Sequence, residues 1–183
     1  MKKTLFAAAC ALALCACSAP KDPVEQIISD YMETAVEGEG KLSVDIYGYE
    51  KIDSTTFREE LQRRKNVFEL KLDQNQKFYS EYNSKGQRKA AVEKMAAMIE
   101  DAAVVKRLDS LGVALGERID DVAFYDYSFS GEVSGRGVQD RFKEKFIAIT
   151  PQGEVLAMVS DRKSLHKSTG RVIPGYVEAV KSE

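Results

Sequence analysis

The sequence predicts an α+β domain: an N-terminal helix, one strand, a long antiparallel helical hairpin, then a three-strand antiparallel meander. Two observations carry that prediction. Apolar residues recur at helical spacing from residue 57 to residue 111, and from residue 119 to residue 160 the period changes to two. Helices gathered on one face of such a sheet make an α+β layer structure.

Taken in order, Asp22-Pro23-Val24-Glu25 reads as a helix start. Asp22 is the N-cap, Pro23 occupies the first helical position and Glu25 closes a capping box. Val24, Ile27, Ile28, Tyr31 and Ala35 share one face, and Glu37-Gly38-Glu39-Gly40 ends the helix. Residues 41–53 alternate, with Leu42, Val44 and Ile46 on one side and Ser43, Asp45 and Tyr47 on the other, as in a half-buried strand.

Thr56-Phe57-Arg58-Glu59 is a second capping box. The helix it opens carries Phe57, Leu61, Phe68, Leu72, Tyr79 and Tyr82, with Glu59–Arg63 and Glu60–Arg64 as favourable pairs four apart. Asn83-Ser84-Lys85-Gly86 breaks it, and Ser84 with Gln87 would cap the next helix, which holds Ala91, Val92, Met95, Met98, Ile99, Ala102 and Val105 and ends at Leu111-Gly112. Two such helices joined by a short turn fold back as a hairpin. Beyond Ile119, Ala123, Tyr125, Tyr127, Phe129 and Val133 line one side of a strand, Gly131 to Gly137 form a turn, residues 138–149 the next strand, Thr150-Pro151-Gln152-Gly153 a tight turn and residues 154–160 the last strand. The rest is polar until Val172, with one or two amphipathic turns at Tyr176, Val177 and Val180.

The N-terminus places the protein. Lys2 and Lys3 precede an apolar run from Thr4 to Ala16. A membrane span needs about 20 apolar residues, so this run is a secretory signal in layout. Leu14-Cys15-Ala16-Cys17 resembles the lipobox of bacterial lipoproteins: a branched apolar residue, a tolerated position, a small residue, then cysteine. Cys10 lacks the branched residue and Cys15 follows the bulky Leu14, so Cys17 alone fits. The other reading is an ordinary secreted protein cut near Ala19.

The lipobox resemblance implies cleavage of residues 1–16. Cys17 would then carry a thioether-linked diacylglycerol and an amide-linked acyl chain such as palmitate. Three chains anchor permanently, where one binds only marginally. Residues 17–21 are then a lipidated cysteine and short linker, and residues 22–183 the single α+β domain. Only Ser18 to Lys21 separate lipid from cap, a reach below roughly 20 Å. By the same resemblance, Ser18 rather than Asp after Cys17 favours the outer membrane, while Lys21-Asp22 is loosely like surface-export signals, so the periplasmic or surface-facing side stays open. The meander, with its PQG turn between KFIAI and EVLAMV, resembles small bacterial lipoproteins with cystatin-like sheets, related in shape to the nuclear transport factor two superfamily.

Composition narrows the function classes. The formal charge is −2 and becomes more acidic by two once Lys2 and Lys3 are removed, which argues against nucleic acid. Without Cys10 and Cys15 the mature chain has no disulfide, so its core must suffice alone. Nucleophilic triads and most metal sites need histidine or a free thiolate. The single histidine, His166, stands in the polar run SLHKST; it could be a general base, but with nothing near it in sequence to orient the ring it reads as a surface residue. There is no CxxC, HExxH, GxSxG or phosphate loop, and no metal or cofactor site is expected.

What remains is a set of candidate ligand-binding residues. Asp126, flanked by Tyr125 and Tyr127, either faces a cavity inside the sheet's curve, where burial would raise its pKa, or pairs with a nearby Arg or Lys. Arg141, Lys143 and Lys145 would form a basic row on one side of their strand, fit for an anionic glycan, a lipid headgroup or an acidic partner, or a solvated face that deters aggregation. Tyr47, Tyr49, Tyr125 and Tyr127 would either line a binding surface or pack under the helices. The leading expectation is a non-catalytic, lipid-anchored envelope module that binds an envelope protein or glycan. A small-molecule or enzymatic pocket in a cystatin-like cone, or a protease inhibitor, is the alternative.

Overall fold

The computed structural model describes residues 22–181. The expected signal segment, Cys17 and the expected linker fall on residues 1–21, outside the described residues. The chain runs α1 (Pro23–Ala35), β1 (Leu42–Thr56), α2 (Phe57–Ser84), α3 (Arg88–Leu115), β2 (Val122–Gly135), β3 (Val138–Ile149), β4 (Val155–Val159) and α4 (Tyr176–Val180), with short 3-10 turns at Gly116–Asp120, Arg162–Lys167 and Thr169–Val172. It is an α+β architecture. The four strands form one antiparallel sheet in the order β1-β2-β3-β4, so the isolated strand of the sequence reading joins the meander as its edge.

Helices cover both faces of that sheet, not one. Ile28 and Met32 of α1 pack with Val44, Phe129, Val133, Ile147 and Ile149. On the opposite face, Phe57, Leu61, Val104, Leu108 and Leu115 from the base of the hairpin join Phe124, Ala148 and Leu156, and the C-terminal segment adds Leu165, Ile173 and Ala179. The reason is in β2 and β3, whose successive residues are apolar on both sides. A sheet so composed must bury both faces.

The hairpin occupies an unusual place. β1 and β2 are antiparallel neighbours whose ends meet at Thr56 and Val122, where the Phe57 amide donates to the Asp121 carbonyl at 3.1 Å. A turn of a few residues normally joins such strands. Here two helices of 28 residues each, about 42 Å long at 1.5 Å per residue, fill the connection and return the chain to its starting point. Only the base of the hairpin joins the core of the sheet: between Phe68 and Val104 no residue belongs to either core cluster, and Ala91 is buried between the two helices' distal parts alone.

Local differences from the sequence reading have local causes. The Thr56 capping box forms in both directions. Ser84 does not cap the next helix, because its hydroxyl donates back to the Glu81 carbonyl, and α3 begins at Gln87 without a side-chain cap. α3 also runs past Leu111-Gly112 to Leu115. Gly112 serves close packing there, since a Cβ would sit 3.0 Å from Leu61 Cδ2. Ile119 falls in a 3-10 turn rather than a strand. The expected loop over residues 131–137 is mostly strand, and the turn is the pair Arg136-Gly137, both at positive φ, as a two-residue hairpin turn requires. The polar tail beyond Asp161 is ordered into the 3-10 turns by Leu165 and Ile173, each buried in the hairpin-side core.

Candidate functional site

The most constrained polar chemistry lies where the hairpin base meets the C-terminal segment. Asp126 sits in mid-β2 beside Asp53 of β1 and Ala148 of β3, and is 1% exposed. Its Oδ2 lies 2.6 Å from Nε2 of His166, carried by the 3-10 turn Arg162–Lys167. The Phe124 ring, two residues along the strand, lies 5.5 Å from the imidazole. Asp126 therefore neither faces an open cavity nor pairs with Arg or Lys. His166 is not a free surface residue, because a strand 40 residues earlier in the chain orients its ring. Oδ1 of Asp126 is buried without a hydrogen-bond partner among the described residues, an arrangement that costs about 1–3 kcal/mol.

A second polar cluster fastens the same segment to α2. Glu60 is fully buried. Arg64 donates through Nε to Glu60 Oε1 at 2.7 Å, through Nη1 to the Lys167 carbonyl at 3.1 Å, and through Nη2 to Thr169 Oγ1 at 2.9 Å and to the His166 carbonyl. Thr169 in turn donates to Glu60 Oε1 at 2.9 Å, and Arg63 pairs with the other Glu60 oxygen. The fit is tight: a Cβ on Gly170 would lie 2.6 Å from the Tyr176 ring and 2.8 Å from Arg64 Nε. Chemically this is a buried carboxylate satisfied by two guanidinium groups and a hydroxyl, charge-assisted bonds that offset the desolvation of the buried charges. The Asp126–His166 contact ties the turn Arg162–Lys167 to β2. No cluster of metal-binding side chains occurs among the described residues.

The tyrosines divide between the two faces. Tyr49 and Tyr127 meet edge to face at 6.0 Å, Tyr127 and Tyr125 at 6.5 Å, and the Lys51 ammonium stands 3.9 Å over the Tyr125 ring. This row lies on the α1 side. Tyr47 lies on the other side, because the register shifts between Ile46 and Gly48. There its hydroxyl donates to Glu132 at 2.8 Å and its ring sits under Arg141. The Tyr49 hydroxyl bonds to Asp22, the cap of α1. That bond pushes the Tyr49 pKa up to about 12 and lowers that of Asp22.

The expected basic row does not form. β3 carries an extra residue between Phe142 and Lys145 opposite β2, a bulge that reverses side-chain parity. Arg141 therefore shares a side with Glu132, whereas Lys145 stands over Phe142 at 4.7 Å and near Asp140 at 3.7 Å. Lys143 instead lines a shallow cavity of ≈ 270 Å³ with Tyr49, Ser128 and Glu144. Nothing in the local sequence marks Lys51, Thr169 or the burial of Glu60 and Arg64. Only the four-residue spacing of Glu60 and Arg64 was a signal, and it reads equally as a surface pair.

The distal half of the hairpin is different in kind. Val92, Met95 and Ile99 lie three and four apart on α3 and are 64%, 49% and 63% exposed, while Leu70 and Phe78 are exposed on α2. No family model matches this chain, nor does any curated protein or solved structure. The likeness to cystatin-like sheets thus rests on strand pattern alone.

Proposed function

We propose that the protein is a lipid-anchored module of a bacterial cell envelope that docks a partner protein through its α2–α3 arm, and that it is not an enzyme. One observation carries this reading: a helical arm inserted where two adjacent antiparallel strands need only a turn. Its base belongs to the core, and its distal half presents Val92, Met95 and Ile99 to solvent. Connecting segments held out by a rigid scaffold often carry binding residues, and an apolar stripe on a helix is the usual anchor row for helix docking. The lipobox at Cys17 supports the envelope location. No helix among the described residues is long and apolar enough to cross a membrane, so attachment would fall to the lipid.

The test compares lipidated protein with Cys17→Ala, Val92→Glu and Ile99→Glu variants in pull-downs from envelope extracts. The expected result is a partner captured by the parent protein and lost with either arm variant, and release of the protein from membranes with Cys17→Ala. Equal capture by parent and arm variants would overturn the docking role. Cys17→Ala that stays membrane-bound would overturn the anchor.

A further inference from the structure

We propose that the tyrosine–lysine row on the α1 side of the sheet, Tyr49, Lys51, Tyr125 and Tyr127, is a membrane-contact face that lies on phospholipid headgroups. The inference rests on the anchoring of Cys17 and adds an orientation to it.

Three observations converge. The first is reach. Five residue steps separate Cys17 from Asp22, at most about 18 Å of extended chain, so whatever surrounds Asp22 stays close to the bilayer. The second is attachment. Asp22 is held in the fold by the Val24 amide at 2.9 Å and by the Tyr49 hydroxyl, so the tether ends on this particular face. The third is chemistry. From Tyr49 the rings of Tyr127 and Tyr125 follow at 6.0 and 6.5 Å, and Lys51 lies over the last of them. Tyrosine, with an apolar ring and a polar tip, concentrates at membrane–water interfaces. Lysine lays its apolar stem along the same layer and keeps its ammonium at the headgroups. The tyrosines are only half-buried, and Lys51 is exposed.

The face would work with the anchor rather than replace it. The lipid supplies retention, and the tyrosine row supplies a fixed tilt of the domain on the surface.

The chain contains no tryptophan, so a single introduced one is a clean reporter. Full-length lipidated protein bearing Lys51→Trp, or separately Tyr125→Trp, is reconstituted into phosphatidylethanolamine–phosphatidylglycerol vesicles with or without brominated phosphatidylcholine. Phe78→Trp on the arm serves as the reference. The expected result is that the two sheet reporters lose more than half of their emission in brominated vesicles, while the arm reporter keeps its emission. Two sheet positions are used so that one perturbed fold, checked by circular dichroism, leaves the other to decide. If the protein floats with the vesicles and neither sheet reporter is quenched, the contact face is wrong and the anchor stands. If the lipidated protein does not float, the anchor fails and the orientation fails with it.

Discussion

The two ends of the α2–α3 hairpin obey different rules although they belong to the same two helices. At the base, Leu61, Val104, Leu108 and Leu115 are buried against the sheet, and Glu60, Arg64 and Thr169 form a closed polar cluster. At the distal end, among the described residues, the two helices shield only each other, burying Ala91. The polar contact across it is Asn75 to Asp101 at 3.2 Å, and Val92, Met95 and Ile99 face water. The difference teaches that one helix can be structural over half its length and free for recognition over the other half. Burial, not helix propensity, divides the two.

The largest break in this contrast should come from Arg64→Ala. It leaves the buried Glu60 carboxylate with only Arg63 and Thr169 as partners and frees the segment 166–169, and loss of one partner of a buried pair costs about 3–5 kcal/mol. Chemical denaturation should show that loss in the unfolding midpoint, and a loss below about 1 kcal/mol would mean the cluster is not a structural clamp. Ile99→Glu on the distal arm sharpens the contrast from the other side. An exposed site far from any buried feature should move stability by no more than about 0.5 kcal/mol in the same measurement. The smallest effect concerns Tyr49→Phe. The folded Tyr49 pKa stands at about 12, above the ordinary phenol value of 10.0. The stabilisation from its bond to Asp22 is therefore fully present below pH 10 and is lost as pH rises through 12. Asp22 is shifted the other way, so on its side the contact holds above the ordinary carboxyl range and weakens on acidification. Phenolate absorbance should show one late-titrating tyrosine fewer in the variant, and an unchanged titration curve would remove the Asp22–Tyr49 contact from the argument.

The candidate site was only partly legible in the sequence. Glu60 and Arg64 were visible as a pair four apart, but nothing within α2 says that the turns at Arg162–Lys167 and Thr169–Val172 will cover them. Asp126 stands out as a carboxylate among aromatic residues, yet its partner is a histidine from a segment that reads as polar tail. The basic row of Arg141, Lys143 and Lys145 failed on one bulge, because a single extra residue reverses which side of a strand each later side chain faces. The same effect sent Tyr47 away from Tyr49, Tyr125 and Tyr127.

Local chemistry alone determined the helix starts at Asp22 and Thr56, the long hairpin, the meander and the α+β class. Each depends on neighbours a few residues apart, through caps, 3.6-residue and two-residue periods, and turn signals. Only the tertiary structure decided that β1 joins the sheet, that both sheet faces are covered, that Asp126 meets His166 and that Val92, Met95 and Ile99 of the hairpin stay exposed. Those outcomes depend on register and burial between residues 40 to more than 100 positions apart, and no local pattern encodes such distances.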